Sequence, residues 1–537
     1  MDATETPFPD LIGSSDDDAS HVIGPDLSKD TEVLANYLPG KACISRGALA
    51  GAPGQHGLRA TPAGVLFTTV RRKPIGLTVD QPTTFRKCEI IEKLVEPFAT
   101  DLVNMYFEKV NQCFPLLDEA SFMRQYAHDK GKLSSALLAC LYAQCMTFWR
   151  HSGVLSQRHR PDPRFVWNQA TEAMYSELHV SPGMSTIISL LLNLNGRPLT
   201  TMVGNGVQLA SAVSIAHSLG LNRNPSDWDI PQGEKSTRIR LWWALFVLDK
   251  WSSLAYGTPP HLKRGQHDVV RPTLEAFCGQ PASMQSKSAS VFRALVSLTE
   301  VLDTYLEHAY RLGPHEDRYP ATVATEMELQ LNQWEDSLED GLRRVITRGM
   351  ELVIPGSANL RLAYLYMKLL LTRLQLDLQK QHDVPNNSLL TNRYAQVRRA
   401  AEEIVLLIQG LNESHLCDFW LPLSAFTLSS TVTFLLRCAL ETEHSSLGLA
   451  QSMSLKLAND MIIALRGHRQ TCEWDIGDIC LVQYGKIVED LSTSCSSNAD
   501  DSLDIHGLRE AMITHVQDID ELFPSLWDMF NGTSESL

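Results

Sequence analysis

Eleven cysteines stand at positions 43, 88, 113, 140, 145, 278, 417, 438, 472, 480 and 495. Thiolates hold zinc when they recur at short, fixed spacing. A two-metal cluster needs six of them close together. No C-x2-C pair occurs here, and the closest two, Cys140 and Cys145, lie on an apolar run and are read as packing residues. The odd count in a long chain without a secretion signal points to free thiols. Asp500, Asp501 and Asp504 spell D-D-x-x-D. That spacing binds magnesium and diphosphate when it sits at a helix end facing a cavity, but here it lies in a Ser-rich stretch. A companion N-D-x-x-S-x-x-x-E motif begins at Asn459 and Asp460 and is broken by Ile462 and Ile463. Gly204 and Gly206 give G-x-G without the third glycine of a dinucleotide site. No phosphate loop, H-E-x-x-H or G-x-S-x-G is present. The 17 histidines are dispersed. His217 is read as a satisfied surface or core residue on a helix face, and His261 and His267 flank a basic loop without metal-ligand partners. The chain is therefore expected to carry no catalytic, cofactor-binding or metal site and not to be an enzyme.

The elements that would position any other site are helical. The 537 residues, 44% of them hydrophobic, suffice for a large core. The longest apolar run, Leu241 to Leu248, falls far short of the ~18 residues of a membrane span. No membrane partner is expected. The formal net charge is −15. Only short basic clusters occur: Arg71, Arg72 and Lys73; Arg86 and Lys87; Lys263 and Arg264. They read as solvated faces, and the acidic balance speaks against gripping nucleic acid unaided.

Residues 1–62 are rich in Gly, Pro, Ser and Asp and are read as disordered, with one helical fragment around Asp30 to Tyr37. Residues 63–96 read as a linker. Helical periodicity then dominates residues 97–495, and strand alternation is hardly seen. Helices are predicted over Leu133–Trp149, Phe165–Leu178, Met184–Leu194, Ser288–Arg311, Thr322–Arg344, Asn359–Gln379, Ala395–Leu411, Phe419–Leu440, Leu455–Arg466 and Ile476–Leu491. The fold class is all-α, a large multi-helix regulatory domain behind a disordered N-terminal region.

The stretch Gly206–Pro272 places two helices around a turn-rich loop. Leu209, Val213, Ala216 and Leu219 line one face of the first, which Gly220 can close in the left-handed conformation. Ser236 is expected to cap the second. Lys235, Arg238 and Arg240 are expected to stay in water, while Ile239, Trp242, Trp243, Phe246 and Val247 form its stripe. Trp242, Trp243 and Trp251 read either as core or as the wall of a ligand or partner groove. A buried Trp removes roughly 150–250 Å² from water, and truncating it costs about 3–5 kcal/mol.

Residues 496–537 form a polar, then acidic-hydrophobic tail. Asp518, Asp520, Glu521 and Asp528 alternate with Leu522, Phe523, Leu526, Trp527, Met529 and Phe530. That alternation marks an activation segment whose charges keep bulky side chains available to a partner. A last helix docking on the domain is the alternative. The candidate interaction residues are Leu522, Phe523, Leu526, Trp527 and Phe530.

YFEKVNQCFPLLDEASF (Tyr106–Phe122), the Gly206–Pro272 block, FWLPLSAFTLSSTVTFLLRCALE (Phe419–Glu441), WDIGDICL (Trp474–Leu481) and the final LWDMFN together resemble the regulatory domain of fungal zinc-cluster transcription factors. They are most similar to its nitrogen-utilisation coactivator subgroup. The family's Gly-Arg-Pro is Gly257, Thr258 and Pro259 here, which removes the arginine's contact. The resemblance implies a nuclear regulator of RNA polymerase II transcription, acting on metabolic genes (nitrogen or secondary-metabolite). Its expected partners are other transcription factors or coactivators, with promoter DNA reached indirectly and homo- or hetero-oligomers among the expected states. DNA and zinc binding belong to a module this chain lacks, so no cofactor is expected, zinc entering only with a cysteine cluster upstream of Met1. Two alternatives stay open: a truncated zinc-cluster DNA-binding factor, and an all-helical metabolite-sensing scaffold or enzyme.

Overall fold

A computed structural model describes residues 18–24, 44–46, 58–60, 65–71, 83–180, 182–196, 202–277, 283–311, 321–381, 387–443 and 446–494. These residues are all-α apart from one small sheet. They divide into two compact units. The first lies within Met1–Pro198, Asn205–Asp249 and His261–Ala289, the second within Leu199–Gly204, Lys250–Pro260 and Ser290–Leu537.

The sheet belongs to the first unit. Its strands are β1 (Asp18–Val22), β2 (Ile44–Arg46), β3 (Leu58–Ala60) and β4 (Leu66–Arg71), in the order β1-β4-β3-β2. β4 runs antiparallel to both β1 and β3, and β2 runs parallel to β3. Val65 and Phe67, two apart and so on one face, bury against Trp228 and Ile230, with Val22 beside them. The Phe67 ring meets Trp228 edge-on at 5.3 Å. Gly220 turns beneath this cluster at φ +66°, and a Cβ there would lie 2.8 Å from Val22 Cγ2. The strands occupy stretches expected to be a disordered region and a linker. At three to six residues each, they are too short for alternation to stand out. The fragment around Asp30 to Tyr37 lies outside the described residues.

The helices of the first unit are α1 (Thr83–Val95), α2 (Ala99–Met105), α3 (Glu119–His128), α4 (Ser135–Cys145), α5 (Pro163–Val180), α6 (Met184–Leu194) and most of α7 (Met202–Ser218) and of α8 (Gln232–Tyr256). α1 lies where a linker was expected. α4 is apolar all round and buried on every side from Ala136 to Cys145, the pattern of an interior helix. One carboxylate ties its start to two neighbours. Glu177 on α5 accepts from Ser134 Oγ, the N-cap of α4, and from Ser185 Oγ at 3.0 Å and Thr186 Oγ1 at 2.8 Å in the first turn of α6. A buried acid is tolerated because every donor around it is a hydroxyl aimed at it.

The second unit holds most of α9 (Ser283–Ala309), then α10 (Ala321–Ser337), α11 (Asp340–Arg348), α12 (Ser357–Gln381), α13 (Asn387–Gln409), α14 (Glu413–Leu416), α15 (Ser424–Thr442), α16 (Ser446–Gln451), α17 (Met453–Cys472) and α18 (Asp478–Ser494). The single helix expected over 322–344 is broken between α10 and α11. Ser337 Oγ turns back to Trp334 O at 2.7 Å and Arg343 Nε donates to Glu335 O at 3.2 Å, occupying carbonyls a continuing helix would use. α11 ends at Gly349, φ +66°, and Arg361 donates to its last carbonyls, Val345 O at 3.1 Å and Ile346 O at 2.6 Å. Trp420, fully buried, meets Trp474 edge-on at 5.2 Å. Among the described residues no helix is long and apolar enough to cross a membrane.

Candidate functional site

α8 and the loop after it carry the residues that the sequence singled out. The helix begins one turn earlier than expected: Glu234 N and Lys235 N donate to Pro231 O at 3.0 and 3.1 Å. Ser236 therefore lies inside the helix and caps nothing. The three cations near its start are not in open water. Lys235 Nζ donates to Ser226 O at 2.9 Å. Arg238 pairs with Glu234 at 2.8 Å and covers the Trp228 ring at 5.1 Å. Arg240 is buried, its guanidinium reaching Thr237 Oγ1 at 3.1 Å and Leu117 O at 3.5 Å. Their long aliphatic stems cover apolar surface while the charged ends find acceptors.

Trp242, Trp243 and Trp251 are all core residues, 1%, 1% and 7% exposed. Within the first unit Trp243 Nε1 donates to Val270 O at 2.8 Å. Within the second, Trp251 Nε1 donates to Thr299 Oγ1 at 2.9 Å. Trp242 packs between the rings of His217 and His267, at 5.9 and 5.3 Å. Burial lowers the pKa of His217 and so keeps its ring neutral. These indoles are anchors, and they offer no open groove wall.

The anchor for the following loop is a residue that the sequence reading passed over. Asp249, fully buried, accepts from His261 N at 2.9 Å and His261 Nδ1 at 3.1 Å on one oxygen, and from Leu262 N at 3.0 Å on the other. A second carboxylate holds the loop lower down. Asp268 accepts from Asn224 N at 2.6 Å and from Arg223 Nε at 3.0 Å, while Asn222 Nδ2 donates to Gln266 O at 3.0 Å. The two loops flanking α8 are thereby stitched together. The available signal was the charged pair Asp249-Lys250 inside an otherwise apolar run. Lys250, in the second unit, pairs with Asp303 at 2.8 Å, the two being 0% and 3% exposed.

The motif at 106–122 folds around one amide. After α2 the chain widens into a π-turn, Tyr106–Val110, closed by Asn111 N to Tyr106 O at 2.9 Å. Asn111 Oδ1 then accepts from Leu116 N and Leu117 N, both at 3.0 Å, and Nδ2 donates to Leu117 O at 3.0 Å. Asp118 caps α3 through Ser121 N at 2.9 Å. One side chain thus supplies the bonds that an irregular Phe-Pro turn cannot make within itself.

The tail residues Leu522, Phe523, Leu526, Trp527 and Phe530 lie outside the described residues, as do Asp500, Asp501 and Asp504 and the cysteines at 43, 278 and 495. Eight cysteines lie within the described residues, and none forms a disulfide there. Cys88, Cys113, Cys140, Cys145, Cys438 and Cys480 are buried. Burial raises the pKa of the Cys88, Cys140 and Cys145 thiols and pushes those of Cys438 and Cys480 up to about 12. Metal ligation needs thiolates, and these environments hold the proton on.

Residues 103–336 match the family model described as the fungal specific transcription factor domain. An uncharacterized transcriptional regulatory protein of Schizosaccharomyces pombe is 26% identical over 364 residues, covering 67% of this chain and 53% of that protein. The transcriptional activator protein DAL81 of Saccharomyces cerevisiae is 25% identical over 392 residues, covering 64% of this chain and 40% of that protein. The acetamidase regulatory protein of Aspergillus fumigatus is 26% identical over 288 residues, covering 52% and 35%. The chain thus spans about half or less of the length of these relatives.

Proposed function

We propose that this protein, whose residues 103–336 match the fungal specific transcription factor domain, regulates RNA polymerase II transcription in a fungal nucleus. The single observation that carries the reading is the match of that segment, which runs from α2 through the Asn111 turn and the Asp249 anchor to Trp334 on α10. The names of the relatives support it: they are regulators and an activator of transcription. The protein acts by contact with other transcription factors or coactivators and meets promoter DNA through them. Its genes are metabolic, as the name of the acetamidase regulator suggests. The role is regulatory rather than enzymatic.

The test tethers the full chain to a reporter promoter through an unrelated DNA-binding domain. A several-fold rise in reporter output is expected. Phe523→Ala, Trp527→Ala and Phe530→Ala together are expected to remove most of it, because an acidic-hydrophobic segment contacts its partner through its bulky side chains. No response to the tethered chain, together with unchanged transcript levels on deletion of the gene, would sink the reading. Full activity of the triple variant would sink only the assignment of the tail. Purified alone, the chain is expected to bind promoter DNA no more tightly than about 10⁻⁵ M at physiological salt, within the non-specific range.

A further inference from the structure

We propose that the cleft between the 107–123 turn and the first turns of α9 binds a small organic cation, an amine carried on an apolar body. The site lies wholly in the first unit and stands on its own geometry, whether or not the protein regulates transcription. The cleft encloses about 540 Å³, inside the ~300–1,000 Å³ range of small-molecule sites. Phe107, Pro115, Leu117, Phe277 and Ala289 give it apolar walls, enough to cover a ring or an alkyl chain.

The charged lining has one sign. Asp118 and Glu119 face the cleft, and no Lys, Arg or His is among its lining residues. Arg240 reaches the Leu117 carbonyl without lining the space. Asp118 uses Oδ1 to cap α3 and keeps Oδ2. The side chains of Glu119, Gln112 and Gln285 carry no hydrogen bond or ion pair within the described structure. Two carboxylates and two uncommitted amides therefore converge on an apolar hollow. An ammonium group satisfies the carboxylates, and the amides and the faces of Phe107 and Phe277 suit the rest of such a molecule. An anion of the same shape meets two carboxylates of its own sign. The wall is set before any ligand arrives, because Asn111 fixes the turn with bonds to Leu116 and Leu117, and a preformed wall lowers the cost of binding.

The test uses the purified full chain and three probes of one shape: phenethylamine, 2-phenylethanol and phenylacetate. Titration calorimetry and thermal shift are expected to rank the amine at least about tenfold above the alcohol, with phenylacetate weakest, a spread set by two half-exposed charges. The double variant Asp118→Asn, Glu119→Gln is expected to erase the preference for the amine while leaving the alcohol unchanged, since Asn caps a helix as well as Asp. Ala289→Phe fills the space and is expected to abolish binding of all three. The charge series on the unaltered protein needs no variant. Equal binding of the three probes, no binding of phenethylamine, or an unchanged preference in the double variant overturns the proposal.

Discussion

Asp249→Asn isolates what one buried carboxylate does for the loop after α8. The substitution keeps the shape and removes one acceptor. The amide oxygen can still serve His261, but Nδ2 then points a donor at the Leu262 N–H, which the carboxylate accepts at 3.0 Å. Two terms follow. A hydrogen bond to a charged group contributes about 1.5–3 kcal/mol, and leaving a buried N–H unsatisfied costs about 1–3 kcal/mol. Because Asp249 is fully buried, solvent screening takes little away. The sum, about 3–5 kcal/mol, falls on opening of the loop rather than on the whole protein. Hydrogen–deuterium exchange reads it directly. The His261 and Leu262 amides are expected to exchange about 10²–10⁴ times faster in the variant, while α4 keeps its protection. A variant whose loop exchanges like the parent would refute the claim that this carboxylate, and not the surrounding apolar packing, holds the loop.

Three further outcomes are expected. Lys250→Met leaves Asp303 charged and buried and should cost about 3–5 kcal/mol, whereas Lys250→Met with Asp303→Leu should recover most of it; additive losses in denaturant midpoints would contradict this. Gly220→Ala should destabilise the first unit by about 1–2 kcal/mol through its left-handed backbone alone, and by more because the new Cβ meets Val22 Cγ2 at 2.8 Å. Protease nicking of residues 18–71 reports it, and an unchanged cleavage rate counts against the docked sheet. Burial pushes the Cys480 thiol up to about 12 from an ordinary value of 9.0. Its contribution to stability is therefore full below pH 9 and lost as pH rises toward 12. Between pH 8 and 10 that loss is about 1.4 kcal/mol, and Cys480→Ala should flatten the pH dependence of the urea midpoint by that amount; an unaltered slope removes the thiol from the account.

The helices were legible where apolar residues recurred over several turns. Met184–Leu194 was placed to the residue, and the stripe of α8 came out with Trp242 and Trp243 inside. Periodicity is a local signal, and it failed where bonds came from far along the chain. Ser236 looked like a cap because a small hydroxyl stands before an apolar stripe, yet the helix starts after Pro231. Arg240 looked solvated, since nothing nearby in sequence announces Leu117 O, 123 residues away, as its acceptor. The sheet was hidden for the same reason, its buried face being completed by Trp228 and Ile230. At the candidate site, the aromatic anchors were visible in the sequence, while Asp249 and Asn111, which shape the loops, were not. A polar residue with structural work reveals itself only when the groups it satisfies are in place.

The proposed indirect route to DNA rests on where the charges go. Clustered free cations are what phosphates require, and several of the described cations stand in ion pairs. Lys87 pairs with Glu172, Arg223 with Asp268 and Lys380 with Glu441. Arg437 holds both Asp377 and Glu441, and Arg466 and Arg469 are taken by Glu489 and Asp478. The formal charge of −15 adds a repulsive field around what is left. Cys88, Cys113, Cys140, Cys145, Cys438 and Cys480 are buried, so drawing these thiols into a thiolate cage would open the core. On the function proposed above, contacts with other proteins bring the chain to a promoter, and those partners supply the phosphate contacts.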